Sequence, residues 1–280
     1  MRPVDYQHLE SHYRQIHHLE HAAAILSWDE AVMMPPGGGV ARGEASASLQ
    51  RMIHELSSDE RIEVWLRGAS SEQLDEWQHA NAREIERLYR RATAVPAALV
   101  EKAHLAASRC EQAWRKLRPA NDWESFAPLL SEVVTIQREV ASALGSALDM
   151  DDYDALLDGF EPGGRAAQIE PVFARIEAFL PDFIGEVRER QAAEELFVPT
   201  GPFPVDAQVD MVRGLLEPLG FNLERGRLDT STHPFSGGVA QDVRLTTRFD
   251  ESDFLTGMMA VLHETGHGLF PIDNFDGRSP

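Results

Sequence analysis

Near the end of the chain His263, Glu264 and His267 stand in the spacing H-E-x-x-H. Two histidines four residues apart share one face of a helix, so both imidazoles can reach a single ion at about 2.0–2.1 Å. Glu264 falls off that face, where its carboxylate can take the proton of a water attacking a carbonyl. The chemistry on offer is metal-assisted hydrolysis, most often of a peptide bond. The setting adds weight. Phe254, Leu255, Met258, Met259, Val261 and Leu262 predict a helix that is largely buried, a poor place for unpaired imidazoles and a carboxylate.

Two polar stretches lie upstream. His233-Pro234-Phe235 follows Asp229-Thr230-Ser231-Thr232, and Val239, Val243, Leu245, Thr247 and Phe249 alternate with Asp242, Arg244, Thr246 and Arg248. The period of two predicts a short β segment near 239–249, just before the motif helix. His233 alone reads as a turn or core histidine as readily as a catalytic one. Arg244 with Asp242 reads equally as a strand-surface pair.

The elements that must position these residues are helical. Tyr6, Leu9, Tyr13, Ile16, Leu19, Ala23 and Leu26 recur at steps of three and four and mark one face of a first helix. Met34-Pro35-Pro36 and the glycines after it break the chain. Further helices are predicted from Ala41 to about Leu56, around Leu74 to Leu88, over Ala97–Leu117 and through Phe126 to Leu148. Two more fall at Ala166–Arg190, interrupted near Pro181, and Val205–Leu219. No fixed repeat or linker divides the chain, so residues 1–280 are read as a single, mostly α, multi-helix domain.

Composition narrows the partners. With 46 acidic against 26 basic residues the formal charge is -20, which repels nucleic acid and anionic membrane surfaces. No apolar run is long enough to span a bilayer. The start Met1-Arg2-Pro3 has no apolar leader segment, and the lone Cys110 fits a reducing compartment, so a cytoplasmic setting is expected.

Taken together, Asp-Thr-Ser-Thr-His-Pro-Phe (229–235), Asp-Val-Arg-Leu-Thr-Thr-Arg (242–248) and His-Glu-Thr-Gly-His (263–267) resemble the carboxypeptidase Taq family of metallocarboxypeptidases. Trp28-Asp29-Glu30 with Met33-Met34-Pro35 is similar to the family's N-terminal segment. Tyr153-Asp154-Ala155-Leu156-Leu157 through Glu161-Pro162-Gly163 is similar to its central one. The resemblance implies a helical fold with a deep groove, usually a homodimer, that removes C-terminal residues from peptide substrates with zinc or cobalt. It implies His263 and His267 as metal ligands, Glu264 as general base, and His233 in the groove near the reacting carbonyl. Arg244 is then a candidate to dock a substrate carboxylate through its guanidinium fork, or a brace for the strand.

The resemblance ends after Gly268-Leu269-Phe270, where Pro271 is expected to stop the helix, and family members extend well past that point. The resemblance also implies a third ligand, a Glu on a following helix, and no Glu occurs here after Glu264. Two protein ligands make a weak zinc site, since catalytic sites use three and a water. Asp273, ten residues after His263, has the spacing of a metzincin third ligand. That class needs a Gly where this chain has Phe270, so a solvated tail aspartate is the competing reading. A chain truncated relative to its family should also expose the face that the missing part covers. Three readings follow: a zinc metallocarboxypeptidase, a helical module whose motif binds metal weakly, and a short endopeptidase-like enzyme using Asp273.

Overall fold

The computed structural model describes residues 4–195 and 199–274, with 270–274 as backbone. Ten helices and three strands occur among them: α1 (Val4–Val32), α2 (Gly39–Ser57), α3 (Arg61–Ala69), α4 (Glu76–Ala94), α5 (Ala97–Leu117), α6 (Trp123–Leu148), α7 (Asp152–Leu157), α8 (Ala166–Gln191), α9 (Val205–Leu216), β1 (Gly226–Thr230), β2 (Ser236–Val239), β3 (Asp242–Thr247) and α10 (Phe254–Asn274).

The helix boundaries follow local chemistry. Pro96 in an extended conformation opens α5. Asp75 caps α4 by accepting from the Gln78 N–H, and the Gln78 side chain reaches back to the Asp75 N–H. Asp122 caps α6 through the Ser125 N–H. The apolar stripe of α1 packs where its spacing places it: Tyr6 and Leu9 pack with Ile62, Ala69 and Ile85 from α3 and α4. A buried carboxylate ties α4 to the segment after α7. Asp158 accepts from Arg87 at 3.2 Å, Arg91 at 3.0 Å and the Gly163 N–H at 3.0 Å.

The second half is built on a three-stranded sheet of order β1-β3-β2, with β1 parallel and β2 antiparallel to β3. β3 is the central strand, and one of its faces carries Val243 and Leu245. These pack with Val212 and Leu216 of α9, Phe221, and Val261 of α10. Gly268 lets α10 come close: a Cβ there would stand 3.0 Å from Val243 Cγ1 and 3.1 Å from Leu245 Cδ2. The buried Thr247 hydroxyl donates to the Gly257 carbonyl at 3.2 Å, a polar tie between β3 and α10.

The mostly α fold and the expected β segment at 239–249 are both present: the segment is β3, joined by β2 in a hairpin with Gly238 at φ 99° before the turn, and β1 adds a strand to it. Other expectations are corrected. α3 and α7 are additional helices. α8 runs through Pro171 and Pro181 without interruption, because none of its residues is buried and water can hydrate the carbonyls that proline leaves unpaired. α10 continues past Pro271 to Asn274, so Pro271 removes one N–H without ending the helix.

Candidate metal centre

The tight seat of α10 on the sheet decides which way the motif points. Val261, Glu264, Thr265 and Gly268 are buried, whereas Leu255, Met259, His263, Gly266 and His267 lie exposed on the open side. The helix is therefore not largely buried, as its composition suggested; the neighbouring sheet and α9 cover only one side of it. Thr265 is 1% exposed and donates to the Val261 carbonyl at 2.6 Å.

On the open side the two imidazoles converge. His263 Nε2 and His267 Nε2 stand 3.1 Å apart with their rings 82° from parallel. Nitrogens at that separation can both lie about 2.0–2.1 Å from one ion, subtending ~100° there, close to a tetrahedral corner pair. The donor set therefore fits two positions of a zinc-type site. Glu264 sits one residue round the helix, 8% exposed, at the boundary between the packed and open sides. It accepts no hydrogen bond among the described residues, which leaves its carboxylate free to act on a water. No group of three or more His, Cys, Asp or Glu able to hold an ion occurs among the described residues. The side chain of Asp273 lies outside them.

His233 and Arg244 are placed elsewhere on the sheet. His233 is exposed and meets Trp114 of α5 edge-on, ring centres 6.4 Å apart. It lines a cleft of about 430 Å³ with Glu30, His104, Glu111 and Arg115. No described residue of α10 lines that cleft. The loop carrying His233 is pinned to β3. Ser231 donates to the His233 carbonyl at 2.7 Å, and the buried Thr246 hydroxyl accepts from the Phe235 N–H at 2.9 Å and contacts Ser231 Oγ at 2.8 Å.

Arg244 forms a two-pronged pair with Asp242 at 2.6 and 2.9 Å and stacks over Trp28, 4.6 Å from the ring centre. Arg227, its register partner on β1, stacks over the same ring at 4.9 Å and pairs with Asp229. These contacts brace β1 and β3 against α1. The hydrogen bond from Arg244 holds the Asp242 carboxyl below its ordinary range, and His21 Nε2 lies 3.5 Å from the same carboxylate. Sequence reasoning missed His104, Glu111 and Trp114, which reach the cleft from α5 and carry no local signal. Cavity size does not mark the motif either. A cavity of about 440 Å³ lies among α1, α2 and α4, lined by Tyr13, Ile53 and Ile85, where burial raises the Glu20 carboxyl.

Against known proteins, a family model described as Carboxypeptidase Taq (M32) metallopeptidase matches residues 8–274. "Thermostable carboxypeptidase 1" of Thermus thermophilus is 35% identical over 277 residues, covering 95% of this chain and 54% of the relative. The protein of the same name from Pyrococcus furiosus is 30% identical, covering 93% of this chain and 52% of its own length. Among solved structures, that of "Trypanosoma Cruzi Metallocarboxypeptidase 1" is similar at a TM-score of 0.85 and 33% identity. It covers 96% of this chain and 55% of that one. The chain thus spans about half the length of the relatives it matches.

Proposed function

The chain belongs to the carboxypeptidase Taq (M32) metallopeptidase family, and from that premise we propose that it carries the metal pair and general base for hydrolysis of C-terminal peptide bonds. The observation supporting this reading is the 3.1 Å approach of His263 Nε2 and His267 Nε2 on the turn of α10 that also carries Glu264. His263 and His267 would hold the ion, zinc first and cobalt as a competent substitute. A divalent ion there supplies Lewis acidity that makes water a nucleophile near neutral pH. Glu264 takes the proton of that water and can return it to the leaving amine. Arg244, held by Asp242 and Trp28, is preset to receive a carboxylate only if that pair opens. His233 lines a cleft without any described residue of α10, so its part near the reacting carbonyl rests on the family resemblance alone.

The substrates are peptides with a free C-terminus. Assembly as a homodimer rests on the family resemblance alone. A cytoplasmic setting rests on the single cysteine of the sequence, Cys110, which can form no disulfide within the chain. Among the described residues no helix is long and apolar enough to cross a membrane.

One observation favours a second reading. With only two ligands among the described residues, the chain by itself would be a helical module that holds its ion weakly. Hydrolysis of an N-blocked dipeptide in excess zinc or cobalt separates the two. The enzymatic reading expects turnover that disappears in Glu264→Gln with metal still bound, and that an amidated C-terminus abolishes. Metal bound to the pair with no turnover leaves the second reading.

A further inference from the structure

The cavity of about 440 Å³ among α1, α2 and α4 is separate from the metal centre, since no described residue of β3 or α10 lines it. Helical spacing builds it. Tyr6, Glu10, Tyr13, His17 and Glu20 recur at steps of three and four, so they share one face of α1. Ile53 and His54 of α2 and Glu84, Ile85 and Leu88 of α4 form the facing walls. Ile16, Ile53 and Ile85 are buried and make the floor apolar. The volume is that of a small-molecule site.

The charge around this floor has one sign. Glu10, Glu20 and Glu84 line the cavity, and no Lys or Arg does. Glu10 and Glu84 are each committed to an arginine of their own helix, Arg14 at 2.8 Å and Arg87 at 2.7 Å. Glu20 has no such partner among the described residues. It is exposed at the mouth, yet the protein on its other side lifts its carboxyl above the ordinary value, and the His17 imidazole works against that rise. Burial lowers His54, so that ring brings no positive charge at neutral pH. Burial, then the carboxylates of Glu20 and Glu84, hold the Tyr13 hydroxyl protonated well above its ordinary range, which shows both carboxylates acting at one point of the cavity.

An apolar floor under uncompensated negative charge suits a guest that is apolar along its body and positive at one end. Aromatic rings attract cations as well, and Tyr6 and Tyr13 supply two. A bare divalent ion does not answer the description. It would leave the isoleucines uncovered, and no group of three or more His, Cys, Asp or Glu able to hold an ion occurs among the described residues. An anion would meet only carboxylates.

We propose that this cavity binds a small primary amine with one apolar group, its ammonium paired with Glu20 and its body laid against Ile53 and Ile85. The inference rests neither on the hydrolytic reading nor on the metal pair.

The probe is phenethylamine, titrated calorimetrically into the 280-residue chain. One molecule per chain should bind with a Kd at or below about 1 mM. Phenethyl alcohol, of the same shape without the charge, should bind about tenfold more weakly. Glu20→Gln should weaken the amine about tenfold and leave the alcohol unchanged. Leu88→Lys sets a cation of the chain's own at a lining position 38% exposed, and should weaken the amine at least as much. Glu44→Gln, exposed on α2 and outside the cavity, should change nothing. The proposal is overturned by no heat with the amine at about ten times that concentration. Equal binding of amine and alcohol, indifference to Glu20→Gln, or an equal loss in Glu44→Gln overturns it too. The amine should bind alike with and without zinc and in His263→Ala. Binding that requires zinc places the amine at the metal pair and also overturns the proposal.

Discussion

Replacing Thr246 by Val isolates the bonds that fix the His233 loop, because valine keeps the shape of threonine and removes only the hydroxyl. Thr246 is 0% exposed, and its Oγ1 accepts from the Phe235 N–H at 2.9 Å while contacting Ser231 Oγ at 2.8 Å. The Phe235 carbonyl keeps its bond from the Thr246 N–H at 2.9 Å, so the lasting injury is to the Phe235 N–H and to Ser231. A part-buried donor left without a partner, such as the Phe235 N–H, costs up to about 1–3 kcal/mol, and the lost hydroxyl bond about 1 kcal/mol more. The expected loss is therefore about 2–4 kcal/mol, read as a shift in the urea midpoint with unchanged slope. A cycle with Ser231→Ala should show coupling of about 1 kcal/mol, since the two hydroxyls touch. The Phe235 amide should also exchange faster. A loss below ~0.5 kcal/mol would refute the claim that this hydroxyl holds the loop.

Asp158 should govern part of the acid response. Burial pushes its carboxyl up, but the Gly163 N–H, Arg87 and Arg91 outweigh burial and leave it below the ordinary value of 3.8. A depressed carboxyl contributes stability that is present above its unfolded value and lost as pH falls through its folded one. Stability should thus drop below about pH 4, and Asp158→Asn should flatten that drop while costing about 2–3 kcal/mol at neutral pH. An unchanged acid limb in a urea series across pH would contradict this. Gly266 lies on the open side of α10 with no atom within 4 Å of an added Cβ. Gly266→Ala should raise stability by about 0.5–1 kcal/mol in thermal unfolding with the same metal content, and a loss would show that this side is packed.

What could be read from sequence depended on how local the cause was. α5 was legible from end to end because Pro96 and Pro119 bracket an unbroken periodic run. The histidine pair was legible for the same reason, since one turn of helix brings the two rings together whatever surrounds them. β1 was not: Gly226, Arg227 and Asp229 make a poor strand alone, and its parallel register with β3 is what holds it. The direction of α10 was also hidden, because it is apolar on both sides and only the sheet selects the one that is buried. Trp114 meets His233 from a helix far earlier in the chain, a neighbour that no spacing rule reports. Asp273, proposed from spacing as a third ligand, stays untested because its side chain lies outside the described residues.

The central claim is that His263 and His267 hold one divalent ion as two ligands of a set that the described residues do not complete. Zinc per chain, measured by mass spectrometry at saturating zinc and again after dialysis against a mild chelator, tests it most directly. The account predicts close to one ion before dialysis, little after it, and none at either stage in His263→Ala or His267→Ala. An absence of zinc at saturation, or equal zinc in both alanine variants, would contradict it. Zinc that survives dialysis in the unaltered chain would show a further ligand outside the described residues, from Asp273 or from a second copy, which the variant Asp273→Ala and a dilution series separate.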